Sequence, residues 1–261
     1  MNEIVKYHND FSNLLLKDFN SIELDLLMVL CSKMRDKACE KVVFDFEQLK
    51  ALSKYKPTAN KRFIEDIKKT NEKLMKLNMC LTTENMIYQF VLFPTFGIDT
   101  KNMTLTVGVN KQFSFVLNDL TQNFTRFELD EFISLKSSYS KVLYRLMKQY
   151  RTTGRFYIKI DEFKEKLDVP NGYENKDIVQ KILNPSVKEL SNYFHNLKLN
   201  KITSKRRGNP IIAYEFTFKA EKPPKSENNA PQTYNYDDEL RTKNQEILEQ
   251  TEKLFKDKLI G

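Results

Sequence analysis

Glycine is scarce in this chain, with six among 261 residues, and no G-x-x-x-x-G-K-[ST] run occurs. That leaves little room for a loop that cradles phosphates and argues against a P-loop nucleotide site. The two histidines, His8 and His195, are far apart, and no His-x-His pair exists to hold the metal of a rolling-circle nickase. The three cysteines, Cys31, Cys39 and Cys80, are odd in number and include no C-x-x-C pair. A disulfide framework and a structural zinc site are therefore not expected, and reduced, mostly buried thiols are. G-x-S-x-G is absent too. Tryptophan is missing altogether, so 12 Tyr and 19 Phe supply the bulky core material. No apolar run approaches the roughly 18 residues needed to cross a membrane, and Met1-Asn2-Glu3-Ile4 does not open a signal peptide. These absences predict a cytoplasmic, non-enzymatic protein with no cofactor, no metal and no membrane partner.

What is present is positive charge, unevenly placed. The net charge is +8. Residues 1–120 hold 17 Lys+Arg against 15 Asp+Glu, residues 121–220 hold 19 against 11, and residues 221–261 hold 7 against 9. The excess sits on the middle segment and points to a polyanionic partner. A Lys-rich solubilising surface would give the same count.

The hydrophobic periodicity of the first 120 residues predicts a short helix over Asn9 to Asp18. A second helix follows from Ile22 to about Lys37, opened by a capping box of Asn20 and Glu23. A strand is expected at Val42 to Phe46, a short helix at Glu47 to Lys54, and a longer one from Thr58 to Leu77. Strands at Cys80-Leu81-Thr82, Ile87 to Phe93 and Met103 to Val107 complete the set. Lys111 to Leu120 reads as an amphipathic linker.

The same order returns from Tyr139. Helix 139–150, strand Phe156 to Ile160, a helix from Asp161, a turn at Asp168 to Gly172 and a long helix from about Glu174 to His195 lead into a β-hairpin whose tip is Lys205-Arg206-Arg207-Gly208-Asn209-Pro210. The expected fold class is α+β: two tandem winged-helix domains from an internal duplication, plus a linker and a C-terminal helix. The boundaries are 1–120 for a winged helix serving dimerisation or assembly, with room for a secondary DNA contact, 121–220 for the main DNA-binding domain, and 221–261 for a flexible linker and amphipathic tail helix. That tail carries Leu240, Ile247, Leu248, Leu254, Phe255 and Leu259.

The long helix of the second unit has one apolar stripe (Ile178, Val179, Ile182, Leu183, Val187, Leu190, Phe194). An opposite polar face carries Lys176, Gln180, Lys181, Asn184 and Lys188. Lys offers donors to guanine, and Gln or Asn pairs bidentately with adenine, so this face has the residue types of a major-groove reader. An ordinary solvated helix face would have them as well. Pro185 lies inside the stripe. It predicts either one kinked helix, favoured because the stripe runs through without a phase break, or a new helix capped by Asn184. Lys201, Lys205, Arg206 and Arg207 on and near the hairpin tip are expected to meet phosphate or the minor groove. In the first unit the corresponding helix mixes Lys61, Arg62, Lys68, Lys69 and Lys73 with Glu65, Asp66 and Glu72. Its long, nearly uncharged hairpin region, Asn78 to Val109, suits a protein interface.

Phe132-Ile133-Ser134-Leu135-Lys136-Ser137-Ser138-Tyr139-Ser140-Lys141-Val142-Leu143-Tyr144-Arg145-Leu146 resembles the second-domain opening of theta-type plasmid replication initiators, the RepA/RepB/RepE-like Rep proteins. So does Ile182-Leu183-Asn184-Pro185-Ser186-Val187-Lys188-Glu189-Leu190, with the basic wing and Ile212 to Phe218 after it. The resemblance spans roughly residues 1 to 219. It implies tandem winged helices that bind directly repeated origin sequences (iterons) in double-stranded DNA, open the origin and recruit the host replicative helicase or its loader. It also implies a homodimer through the N-terminal domain. Two other functions fit the residues: a dimeric winged-helix transcriptional repressor, and a nucleic-acid enzyme such as a nickase or primase.

Overall fold

A computed structural model of the chain describes residues 3–37, 40–56, 59–76, 78–82, 87–111, 116–118, 120, 123–206 and 208–222. The predicted tail helix lies outside the described residues.

Two copies of one element order make up the molecule. The first is β1 (Ile4–His8), a 3-10 turn (Asn9–Asn13), α1 (Ser21–Met34), β2 (Val42–Asp45), α2 (Phe46–Leu52), α3 (Asn60–Leu74), the hairpin β3 (Asn78–Thr82) and β4 (Ile87–Val91), then β5 (Thr95–Asp99) and β6 (Thr104–Gly108). The second is β7 (Phe124–Glu128), α4 (Leu129–Ser134), α5 (Ser138–Gln149), β8 (Arg155–Lys159), α6 (Ile160–Lys166), the long helix α7, β9 (Lys198–Thr203) and β10 (Ile211–Thr217). In α7 an α-helical turn, Asn175–Asp177, runs into a π-helical segment, Ile178–Leu183, and then into the α-helical Asn184–Leu190.

Local chemistry sets the ends of these helices. Asn20 accepts from the Glu23 N–H and Glu23 accepts from the Asn20 N–H, the capping box expected for α1. The ends of α2 and α6 match residue for residue. Lys54 (φ 48°) and Asp168 (φ 52°) adopt the left-handed conformation, and the next N–H returns to the last turn, Tyr55 to the Lys50 carbonyl and Val169 to that of Lys164. This is the helix-stop geometry usually built on glycine, here carried by Lys and Asp.

The two copies interlock. β1 pairs antiparallel with β7, with Val5 opposite Phe127, Lys6 opposite Arg126 and Tyr7 opposite Thr125. Both are the first strands of their copies, so an internal twofold axis passes between Lys6 and Arg126. Each copy also has its own sheet, ordered β2-β6-β5 in the first and β8-β10-β9 in the second. α1 is buried along almost its whole length, and so is α5 from Ser140 to Lys148, because each helix packs against elements of both copies. Tyr7, Phe11, Phe127, Phe132 and Tyr144 join in one aromatic cluster across the seam.

The seam is also charged. Along α5, Lys141, Arg145 and Lys148 are buried, and Arg151 beyond its end is buried too. Lys141 Nζ donates to Asp25 Oδ1 at 2.6 Å and to the Phe132 carbonyl at 2.8 Å. Arg145 donates to the Phe11 carbonyl, and Lys148 to Glu221. Four of the nineteen cations that gave residues 121–220 their excess therefore face inward. The charge asymmetry is a weaker pointer to a polyanion than the count suggests.

Three strands, β1, β5 and β7, lie in stretches with no assigned element. Each is short and completed by a partner remote in sequence or by a neighbouring strand. Pro185 neither ends the helix nor starts a new one: Leu183 and Asn184 both have right-handed helical backbone angles. The Asn184 N–H bonds to the Val179 carbonyl, five residues back. Accommodation is by a π-turn, and the apolar stripe does change phase there.

Candidate nucleic-acid interface

α7 begins after the turn closed by Tyr173 N–H to the Pro170 carbonyl, and Glu174 N–H bonds to the Asp177 carboxylate at its first turn. Ile178, Ile182, Ser186 and Leu190 are 0–1% exposed and seat the helix on α5, where Ser186 Oγ meets Ser140 Oγ. That leaves Lys176, Gln180, Lys181, Asn184 and Lys188 exposed, all five residues expected for groove reading. Lys181 differs from the others. Its Nζ lies 2.8 Å from Asp177 Oδ1 and 4.6 Å from the Tyr173 ring centroid. The Asp177 hydrogen bond raises the Lys181 pKa and lowers that of Asp177. Lys181 is thus held along the helix and does not project straight from it.

The wing is β9 and β10, whose register shifts between Ile211 and Ala213. Its tip folds on itself: Ser204 N–H to the Pro210 carbonyl, Arg206 N–H to Ser204 Oγ, and Asn209 N–H to the Arg206 carbonyl. Gly208 has φ 85°, a conformation that L side chains rarely adopt, and Asn209 follows at 43°. Lys201, Lys205 and Arg206 are exposed; Arg207 lies outside the described residues. On the outer face of the sheet, Arg155 and Asn200 both donate to Glu215, whose pKa is lowered mainly by the Arg155 bond.

The first copy presents a second surface of this kind. α3 seats on Phe63, Ile67, Thr70 and Leu74 and exposes Lys61, Arg62, Lys68 and Lys69. Two charges that blurred its sequence face inward: Asp66 accepts from Tyr55 OH, and Lys73 Nζ donates to Glu23 at 2.6 Å and to the Asp18 carbonyl. One acid and one base thus leave the surface, and Glu65 and Glu72 stay exposed beside the four cations.

A helix-turn-helix with a hairpin wing, present twice in one interlocked body, defines a tandem winged-helix protein of the DNA-binding kind. Residues 4–148 match the profile "Initiator Replication protein, WH1", and residues 159–218 match "Initiator Rep protein, WH2". The chain belongs to this family of replication initiators. It is 41% identical over 226 residues to a "Probable replication protein rep" of Bifidobacterium longum (strain NCC 2705), covering 85% of this chain and 75% of that protein. In fold it is similar to the Pi initiator protein, whose crystal structure is of a complex with iteron DNA. The TM-score is 0.65 at 15% identity, over 85% of this chain and 99% of that one. Among the described residues, no helix is long and apolar enough to cross a membrane.

Proposed function

We propose that this protein initiates plasmid replication by binding directly repeated origin DNA as a monomer through both winged helices. In this reading α7 reads bases with Lys176, Gln180, Lys181, Asn184 and Lys188. The wing holds phosphate with Lys201, Lys205, Arg206 and Arg207. α3 makes the second groove contact with Lys61, Arg62, Lys68 and Lys69. The observation that carries the reading is the row of exposed polar residues on α7 beside a basic wing, in a chain of the initiator family. The buried seam holds the two heads in one body, and this reading places them in successive major grooves on one DNA face. Dimerisation through the first domain is supported by its open edge strand β2, with Val43 61% exposed. Recruitment of the host replicative helicase or its loader, and a cytoplasmic location, follow from the role of an initiator.

Footprinting on the DNA flanking the gene tests this. Protected direct repeats next to an AT-rich stretch, each spanning two successive major grooves, are expected. A single protected palindrome would replace the initiator reading with that of a repressor.

A further inference from the structure

The buried residues of the two reading helices are spaced differently. In α3 they are Phe63, Ile67, Thr70 and Leu74, with steps of four, three and four. An α-helix advances about 100° per residue, so this spacing stays nearly in line. In α7 Ile178, Ile182, Ser186 and Leu190 are buried in three steps of four, and Leu183 is buried beside Ile182. In an unbroken α-helix each such step drifts by about 40°, and the stripe would wander by about 120° off the core. The π-segment Ile178–Leu183 absorbs one extra residue and brings Ser186 and Leu190 back over the core. Relative to α3, α7 contains a single-residue insertion between Ile182 and Ser186. Pro185 lies in that interval and has no N–H to offer the Lys181 carbonyl, which disfavours the α-helical pattern at the same turn.

The insertion has a second effect. Lys176, Gln180, Asn184 and Lys188 each stand two residues before a buried anchor, on the far side of the helix, and all are exposed. Whatever keeps the anchors in line keeps these four in line. We propose that the π-turn of α7 is a specificity device: one inserted residue straightens Lys176, Gln180, Asn184 and Lys188 into a single row along the groove-facing side. In a regular α-helix the row would wind away from the bases. This inference rests on the reading of α7 as the groove helix.

The test is selection from duplexes carrying a randomised 20-base-pair segment, using the full chain and its variants, with salt titration alongside. Gln180→Ala and Asn184→Ala are expected to relax preference at neighbouring base pairs, each by about ten- to hundredfold. Deleting Pro185 gives α7 the spacing of α3 and turns Asn184 by about 100° relative to Gln180. That variant is expected to lose the preference set by Asn184, keep the one set by Gln180, and keep the wild-type salt slope. Pro185→Ala preserves the chain length and is expected to preserve the wild-type preference. The inference is overturned if the deletion variant selects the wild-type sequence, or if Asn184→Ala changes no preference while Gln180→Ala does. The second comparison decides the matter even if the deletion variant does not fold. If Lys176→Ala, Gln180→Ala and Asn184→Ala all select the wild-type sequence, the assignment of α7 as the reading helix fails instead.

Discussion

At the scale of single residues, Asp25 and Lys141 show how the seam is balanced. Burial pushes the Asp25 carboxyl up to about 7, although the Lys141 ammonium opposes the rise, and the same burial lowers the Lys141 pKa. Unfolded, Asp25 titrates near 4. The folded protein therefore binds this proton more tightly, so the stability the group contributes is complete below about pH 4 and is lost as pH rises to about 7. Urea unfolding at pH 5 and pH 8 should show wild type losing stability between the two, by up to a few kcal/mol. Asp25→Asn, which keeps an oxygen for Lys141, should lose distinctly less. Equal losses in the two proteins would remove Asp25 as the cause. At the wing, neutralising Lys205, Arg206 and Arg207 together should weaken duplex binding and reduce the slope of log K against log salt by roughly three, since each phosphate contact contributes about 0.9. An unchanged slope would mean that the tip touches no phosphate.

At the scale of elements, α3 is the surface to test. Replacing Lys61, Arg62, Lys68 and Lys69 by Ala should shrink the footprint from two grooves to one while leaving the protection by α7 in place. A full-length footprint would confine DNA contact to the second copy. Legibility in the sequence also divides by element. Among the helices, α1 was readable from its Asn20–Glu23 box and α3 from its buried stripe of Phe63, Ile67, Thr70 and Leu74. The duplication was readable from element order. β1 was not, because Ile4 to His8 becomes a strand only by pairing with residues 124–128. The π-turn was not, because Leu183 and Val187 make the apolar stripe continuous in sequence. Its signal is the four-residue spacing of Ile178, Ile182, Ser186 and Leu190, and a serine does not advertise that it is an anchor. The nine proposed contact residues of the second copy were named from residue type and position, and the eight of them that are described are exposed. The inward turn of Asp66 and Lys73 needed coordinates.

At the scale of the whole molecule, the copies share strands, helices and ion pairs across one seam, so they should melt in a single transition seen alike by far-UV and near-UV circular dichroism. Removing β1 (Ile4–His8) takes away the partner of β7 and uncovers the aromatic cluster around Phe127 and Tyr144. That truncation should abolish the cooperative transition of both copies, not of the first alone. A surviving second-copy transition near the wild-type midpoint would show the copies to be independent. The strand pair has a further consequence during synthesis. β1 is translated some 120 residues before β7, which at roughly 5–20 residues per second is a wait on the order of ten seconds. For that interval the nascent chain carries an unpaired edge bearing Val5 and Tyr7, a natural substrate for ribosome-associated chaperones, until β7 emerges to close it.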